Sequence, residues 1–209
     1  MTTASSATSP RQWGPSMLSD EARRRLIDLA RRSVAARVAS QRLPAAPVFE
    51  WPRASGVFVT LKLHGALRGC LGTLESGGEL AADVARCAAD AASEDPRFPA
   101  LTATELADTT LEISVLTPLE AIASDVLRGG RLDQALTIGV HGVVVERGPR
   151  RGLLLPQVAT ERGWDPEEFL RQTCVKAGLP PGAWEGDARV FRFTAEVFGD
   201  GIVRPRSSS

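Results

Sequence analysis

The sequence is poor in the residues that metal and disulfide chemistry need. Its 209 residues hold two histidines, His64 and His141, and three cysteines, Cys70, Cys87 and Cys174. None of them stands at a C-x-x-C or H-x-x-x-H spacing, so no metal-ligand set is visible. An odd number of widely spaced cysteines makes no disulfide framework and fits free thiols in a reducing compartment. Long apolar runs are missing as well. The opening MTTASSATSPRQWGPSM is rich in Ser, Thr and Pro and lacks the apolar core of a signal peptide, and no later stretch approaches a membrane span. Net charge is also absent, since Lys plus Arg and Asp plus Glu each total 25, so no global field draws the chain to nucleic acid or to an anionic membrane. These absences predict a cytoplasmic protein with no metal, no cofactor signature, no nucleic-acid partner and no membrane.

What the chain does have is the run Leu67-Arg68-Gly69-Cys70-Leu71-Gly72-Thr73. It sets a cation, a thiol and two glycines in a strand-like segment. Glycine inside a strand packs nothing and loses backbone entropy, so its presence points to close approach by another backbone, a loop or a ligand. The length suits one large domain, or two intimately packed subdomains, with a substantial core.

Around this run the pattern alternates irregularly between helix and strand. Ser19 N-caps a helix with apolar positions Leu26, Ile27, Leu29, Ala30, Val34 and Val38. Its arginines, Arg23, Arg24, Arg31 and Arg32, read as a solvated face. Residues 56–63 alternate with period two, His64-Gly65-Ala66 makes a turn, and residues 67–74 return antiparallel with Arg68 and Cys70 on one face. Residues 79–92 form an amphipathic helix with Cys87 in its packing seam; Pro96 and Pro99 end it, and residues 101–106 restart one short turn. Residues 110–116 are a third strand, and 136–140, 142–146 and 152–155 are β-rich. Pro156 opens a helix that Gly163 ends, Asp165 and Pro166 open another that runs to about Ala177, and residues 190–198 are the last strand. The fold class is therefore α+β with a largely antiparallel sheet. The expected organisation is a disordered tail over 1–15, a domain over 16–203 and a second tail over 204–209.

LRGCLGT resembles the LRGC-[IL]-G signature of the AMMECR1-domain family. Further blocks in the family's order carry the resemblance: VFVTLK at 57–62, DPRFP at 95–99 before the 101–106 segment, IGVHGV at 138–143, and LLPQVA at 154–159 with GWD at 163–165. Together they span roughly residues 19 to 200. Gln157 departs from the family, which often has Glu there. The resemblance implies a compact α+β fold with a larger and a smaller subdomain. It also implies an association with Memo-like or radical-SAM partner proteins.

Two readings of the site follow. In the first, Arg68, Gly69, Gly72, Thr73 and Arg97 form a binding or regulatory surface for a partner protein or a small anionic ligand, with Arg68 and Arg97 clamping a carboxylate or phosphate. In the second, Cys70 is a nucleophile with His141 as its base and the Gly72 N–H as oxyanion donor, acting on a small anionic or carbonyl substrate. Glu112 or Glu146 would then orient His141. Against both stand simpler roles: Cys70 as a small buried residue, His141 in a bent strand, and the arginines as ties between loops. The absence of an unambiguous acid, base or cofactor signature favours the module.

Overall fold

The computed structural model describes residues 18–47, 51, 54–74 and 79–200. The two expected tails and part of the proline-rich 43–53 linker lie outside the described residues. Helix α1, Asp20–Val38, starts where Ser19 accepts the Ala22 N–H, with Asp20 and Glu21 in its first turn. Its apolar stripe packs on α2, Leu80–Ser93, and both helices cover one half of the sheet. That layer holds Leu26, Leu29, Val57 and Val59 at full burial, each stabilising the fold by about 1.5–3 kcal/mol. The arginine face is only partly solvated. Arg25 and Arg32 make exposed i,i+4 pairs with Glu21 and Asp28, but Arg23 is buried and its Nε donates to Glu196 at 2.6 Å. Expectation and structure differ here because a strand distant in sequence brings the carboxylate.

Strands β1, Gly56–Leu63, and β2, Ala66–Thr73, form the expected hairpin. His64 and Gly65 both take positive φ, 50° and 84°, as a two-residue hairpin turn requires. Strand β3, Thr109–Leu116, follows a single 3₁₀ turn at Leu106–Asp108, and β4 is the short Glu120–Ala121. Two small helices come next, α3 at Ser124–Arg128 and α4 at Leu132–Ala135. The hairpin of β5, His141–Arg147, and β6, Arg150–Leu154, leads into α5, Pro156–Arg162, and α6, Pro166–Lys176. The last strand is β7, Arg189–Gly199. Residues 136–140 are not a strand. The Val140 and His141 N–H groups both return to the Thr137 carbonyl, and Gly139 has φ 80°, so the chain turns where β-rich composition predicts extension.

The sheet is antiparallel throughout, in the order β2-β1-β3-β7-β5-β6 with β4 also on β7, and it curls into a half-barrel. Helices α1 and α2 cover the outer face of one half, and α5 and α6 that of the other. The inner face carries a third apolar cluster, in which Phe58 near one edge and Leu153 on the other edge strand meet Phe193, Val144 and Leu116. Only the inside of a curl brings the two edges into one cluster. Among the described residues no helix is long and apolar enough to cross a membrane.

Two glycines let the helices lie directly on the sheet. A Cβ on Gly69 would sit 2.1 Å from the Ala91 carbonyl oxygen of α2, and one on Gly152 would sit 2.6 Å from the Ala177 nitrogen just past α6. Both neighbours are backbone atoms that cannot swing away. Gly69→Ala is therefore expected to lower stability by about 1–3 kcal/mol, and Leu67→Ala at the exposed hairpin end by less than about 0.5 kcal/mol. Urea unfolding midpoints of the two variants check this; equal midpoints would contradict the close approach.

Candidate functional site

The second strand of the first hairpin does not alternate cleanly. Leu61 pairs with Gly69 but Lys62 with Leu67, so Arg68 is an extra residue in a bulge between them. The expectation that Arg68 and Cys70 share a face fails for that reason. Arg68 turns to the loop after α2, where it donates to the carbonyls of Pro99 at 2.7 Å and Ala100 at 3.3 Å and makes a two-pronged pair with Glu105 at 2.8 and 3.1 Å. This hydrogen-bonded Arg68, with the Thr102 N–H, holds the Glu105 carboxyl down at about 2. Arg68 thus anchors the loop that carries Arg97.

Asp95 organises the same loop from the other side. Its buried carboxylate accepts the Cys70 N–H at 2.8 Å, the Arg97 N–H at 3.1 Å, and the Arg97 guanidinium at 2.9 and 2.7 Å. The hydrogen bonds from the Arg97 side chain come first among the causes that keep Asp95 well below the usual carboxylate range, with burial opposing them. The guanidinium carbon lies 5.4 Å from the centre of the Phe98 ring, and a little over half of the side chain is exposed. Arg97 is therefore a charge held in place by a buried acid and still open to solvent. The pairing with Asp95 is one of the ties that sequence reasoning allows for this arginine.

Cys70 is half-buried, and its sulfur accepts from the Thr60 hydroxyl at 3.3 Å. It interacts electrostatically with Arg97 and with Lys176 at the end of α6. Burial lowers the pKa of Lys176, as does Arg97, while the Cys70 thiol opposes the shift. No carboxylate pairs with Lys176 among the described residues. Sequence reasoning misses this lysine because only the curl of the sheet brings the end of α6 to β2, and nothing local to residues 170–178 signals it.

Between the edge strands lies a cleft of about 490 Å³. Phe58, Gly72, Thr73 and Leu74 form one wall, and Arg151, Gly152, Leu153 and Lys176 form the other. A Cβ on Gly72 would fall 2.3 Å from the Phe58 ring, so the glycine is what allows the ring to lie across β2. Arg151 and Arg189 flank Glu146, and Lys62 pairs with Glu112 at 2.9 Å. Both acids named as partners for His141 are thus bonded elsewhere.

His141 stands apart from this cluster. Following the register, Cys70 lies opposite Thr60, Thr60 opposite Glu112 and Glu112 opposite Gly199, whereas His141 lies opposite Thr194. Residues 194 and 199 of β7 differ in parity, so Cys70 and His141 project from opposite faces, four strands apart. The His141 Nδ1 accepts the Thr137 N–H at 2.9 Å. Burial, then Arg192, lowers its pKa, with Glu120 opposing. A neutral imidazole that closes the 137–141 turn is what this geometry provides, and the structure does not bring His141 to Cys70.

Cys87 and Cys174 lie inside the two helix layers. Burial pushes the Cys87 thiol up to about 11 and raises that of Cys174. Among the described residues no group of three or more His, Cys, Asp or Glu is placed to hold a metal ion.

Comparison with known proteins places these blocks in a wider set. A model of the AMMECR1 family matches residues 27–198. A protein of Methanothermobacter thermautotrophicus is 44% identical over 185 residues, which cover 87% of this chain and 95% of the relative. Protein TK0174 of Thermococcus kodakarensis is 44% identical over 189 residues, covering 86% of this chain and 90% of the relative. The crystal structure of uncharacterized protein PH0010 from Pyrococcus horikoshii is similar with a TM-score of 0.77 at 37% identity, over 89% of this chain and 95% of that one.

Two outcomes follow from the geometry. In the folded protein iodoacetamide is expected to label Cys70 well before Cys87 or Cys174, as read by peptide mass spectrometry; labelling of all three at one rate would show that the buried pair is not protected. The Glu105 carboxyl is depressed on folding, so its contribution is complete above its unfolded value and is lost as pH falls toward the folded value of about 2. Glu105→Gln is expected to melt lower than the parent at pH 7 and to lose less on acidification from about pH 5 to about pH 2. Parallel melting-temperature profiles would contradict the Arg68–Glu105 assignment.

Proposed function

Since the chain belongs to the AMMECR1 family, with every residue of the cleft inside the matched stretch, we propose that it works as a binding module that takes an anionic ligand in the cleft between β2 and β6. The observation that carries this reading is that Lys176, in the lining of that cleft, interacts electrostatically with Cys70 and with Arg97, which Asp95 pre-sets. Pre-set cations bind anions at a lower ordering cost than flexible ones. Arg97 and Lys176 are the direct contacts, Gly72 and Thr73 shape the wall, and Arg68 with Glu105 positions the loop. The implied partner, a Memo-like or radical-SAM protein, would present its anionic group to the same cations.

The alternative reading, a Cys70 nucleophile, has no base in His141. Lys176 interacts electrostatically with Cys70, and its lowered pKa suits proton transfer better than that of an ordinary lysine.

The test uses inorganic phosphate as the anion and the alkylation rate of Cys70 as the readout. Phosphate is expected to slow alkylation in a saturable way, and Arg97→Ala or Lys176→Met to weaken that protection by about tenfold or more. Cys70→Ser is expected to bind phosphate as the parent does, measured calorimetrically. No saturable protection would end the binding reading, and loss of phosphate binding in Cys70→Ser would favour the nucleophile.

A further inference from the structure

The two walls of the cleft restrict the shape of what fits between them. Both are edge strands of the same sheet, β2 at one end of the strand order and β6 at the other. At β2 the Cys70 N–H leaves the ladder and goes to Asp95, which shows that the backbone groups at this position point away from β1. Antiparallel ladders repeat this orientation every second residue, so the N–H and C=O of Gly72 also turn outward, into the cleft. Gly72 is exposed and carries no side chain to shield those groups. One edge position is therefore occupied by an acid from within the chain, and the next has no hydrogen-bond partner among the described residues.

Open edges are usually blocked because they invite pairing with another chain. Here Asp95 blocks β2 at Cys70, and among the described residues nothing bonds the outward backbone groups of Gly72, which face Arg151 to Leu153 of β6 across the cleft. Neighbouring strands lie about 4.8 Å apart, so an extended backbone is the ligand shape that meets an open edge with regular hydrogen bonds. Lys176 lines the cleft beside Gly72, and it interacts electrostatically with Arg97 and with the thiol of Cys70.

We infer that the occupant of the cleft is a short acidic peptide segment of a partner protein, added to β2 as an extra strand at Gly72, with a carboxylate on Arg97 and Lys176. This rests on the anion-binding reading of the cleft and adds the ligand's class and pose. The Asp95 plug limits the added strand to a few residues. Main-chain bonds then supply affinity, and the carboxylate supplies the choice of sequence.

The probe is a pool of acetylated seven-residue peptides with Glu at alternate positions and mixed apolar or Thr residues between them, offered to the full chain. Amide hydrogen exchange at Gly72 is expected to slow by about tenfold on addition of the pool. The same pool N-methylated at alternate residues, or with Lys in place of Glu, is expected to have no effect, and Lys176→Glu to abolish the effect of the acidic pool. If phosphate protects Cys70 but the peptide pool leaves Gly72 exchange unchanged, the peptide inference fails and the anion-binding reading stands. If phosphate fails as well, both fall. Slowing of Gly72 exchange with protein concentration alone, without peptide, would assign the edge to a second copy of this chain and overturn the inference.

Discussion

Strand β7 carries two ladders at once. Ala195 to Gly199 pair with β3, and Arg189 to Thr194 pair with β5, so in the strand order the two halves of the sheet meet only through this strand. Its side chains divide in the same way. Phe193 and Ala195 enter the inner apolar cluster, Val190 packs under α6, and Phe198 joins the layer beneath α1 and α2. Glu196 and Asp200 then tie α1 to it, through Arg23 at 2.6 Å and Arg31 at 2.7 Å. Without β7 the sheet would part into the three strands β2-β1-β3 and the β5–β6 hairpin, with no curl. Without the curl, β2 and β6 would not face one another.

The site depends on that arrangement and on one buried acid. Asp95 binds the backbone of Cys70 and the guanidinium of Arg97 together, so it links the edge strand to the loop after α2. A buried carboxylate costs solvation that only multiple donors offset, and here four donor contacts converge on it. Arg68 and Glu105 stake the far end of the loop. The loop is held at both ends, and Asp95 fixes the direction of its exposed Arg97 charge.

Much of the architecture is legible from local pattern. The first helix with its Ser19 cap, the β1–β2 hairpin, Pro156 and Pro166 at helix starts and Gly163 at a helix end are all written in short-range signals. The misreadings occur where local rules meet long-range ones. Residues 136–140 have β-prone side chains, but the turn held by Thr137 and Gly139 overrides them. Arg68 has the parity of Cys70 by count, and a bulge cancels that count. The Cys70 and His141 pairing rests on rarity of residue type alone, and register through four strands separates the two. Lys176 is invisible locally because its relevance is a product of sheet curvature.

The close seating of helix on strand at Gly69 and at Gly152 has a mechanical meaning. At these two points backbone rests on backbone with no side chain between, which fixes the spacing of each helix on its hairpin. The two hairpins bear the opposite walls of the cleft, and β7 joins their halves of the sheet. The twist of that one strand therefore sets the distance between the two walls.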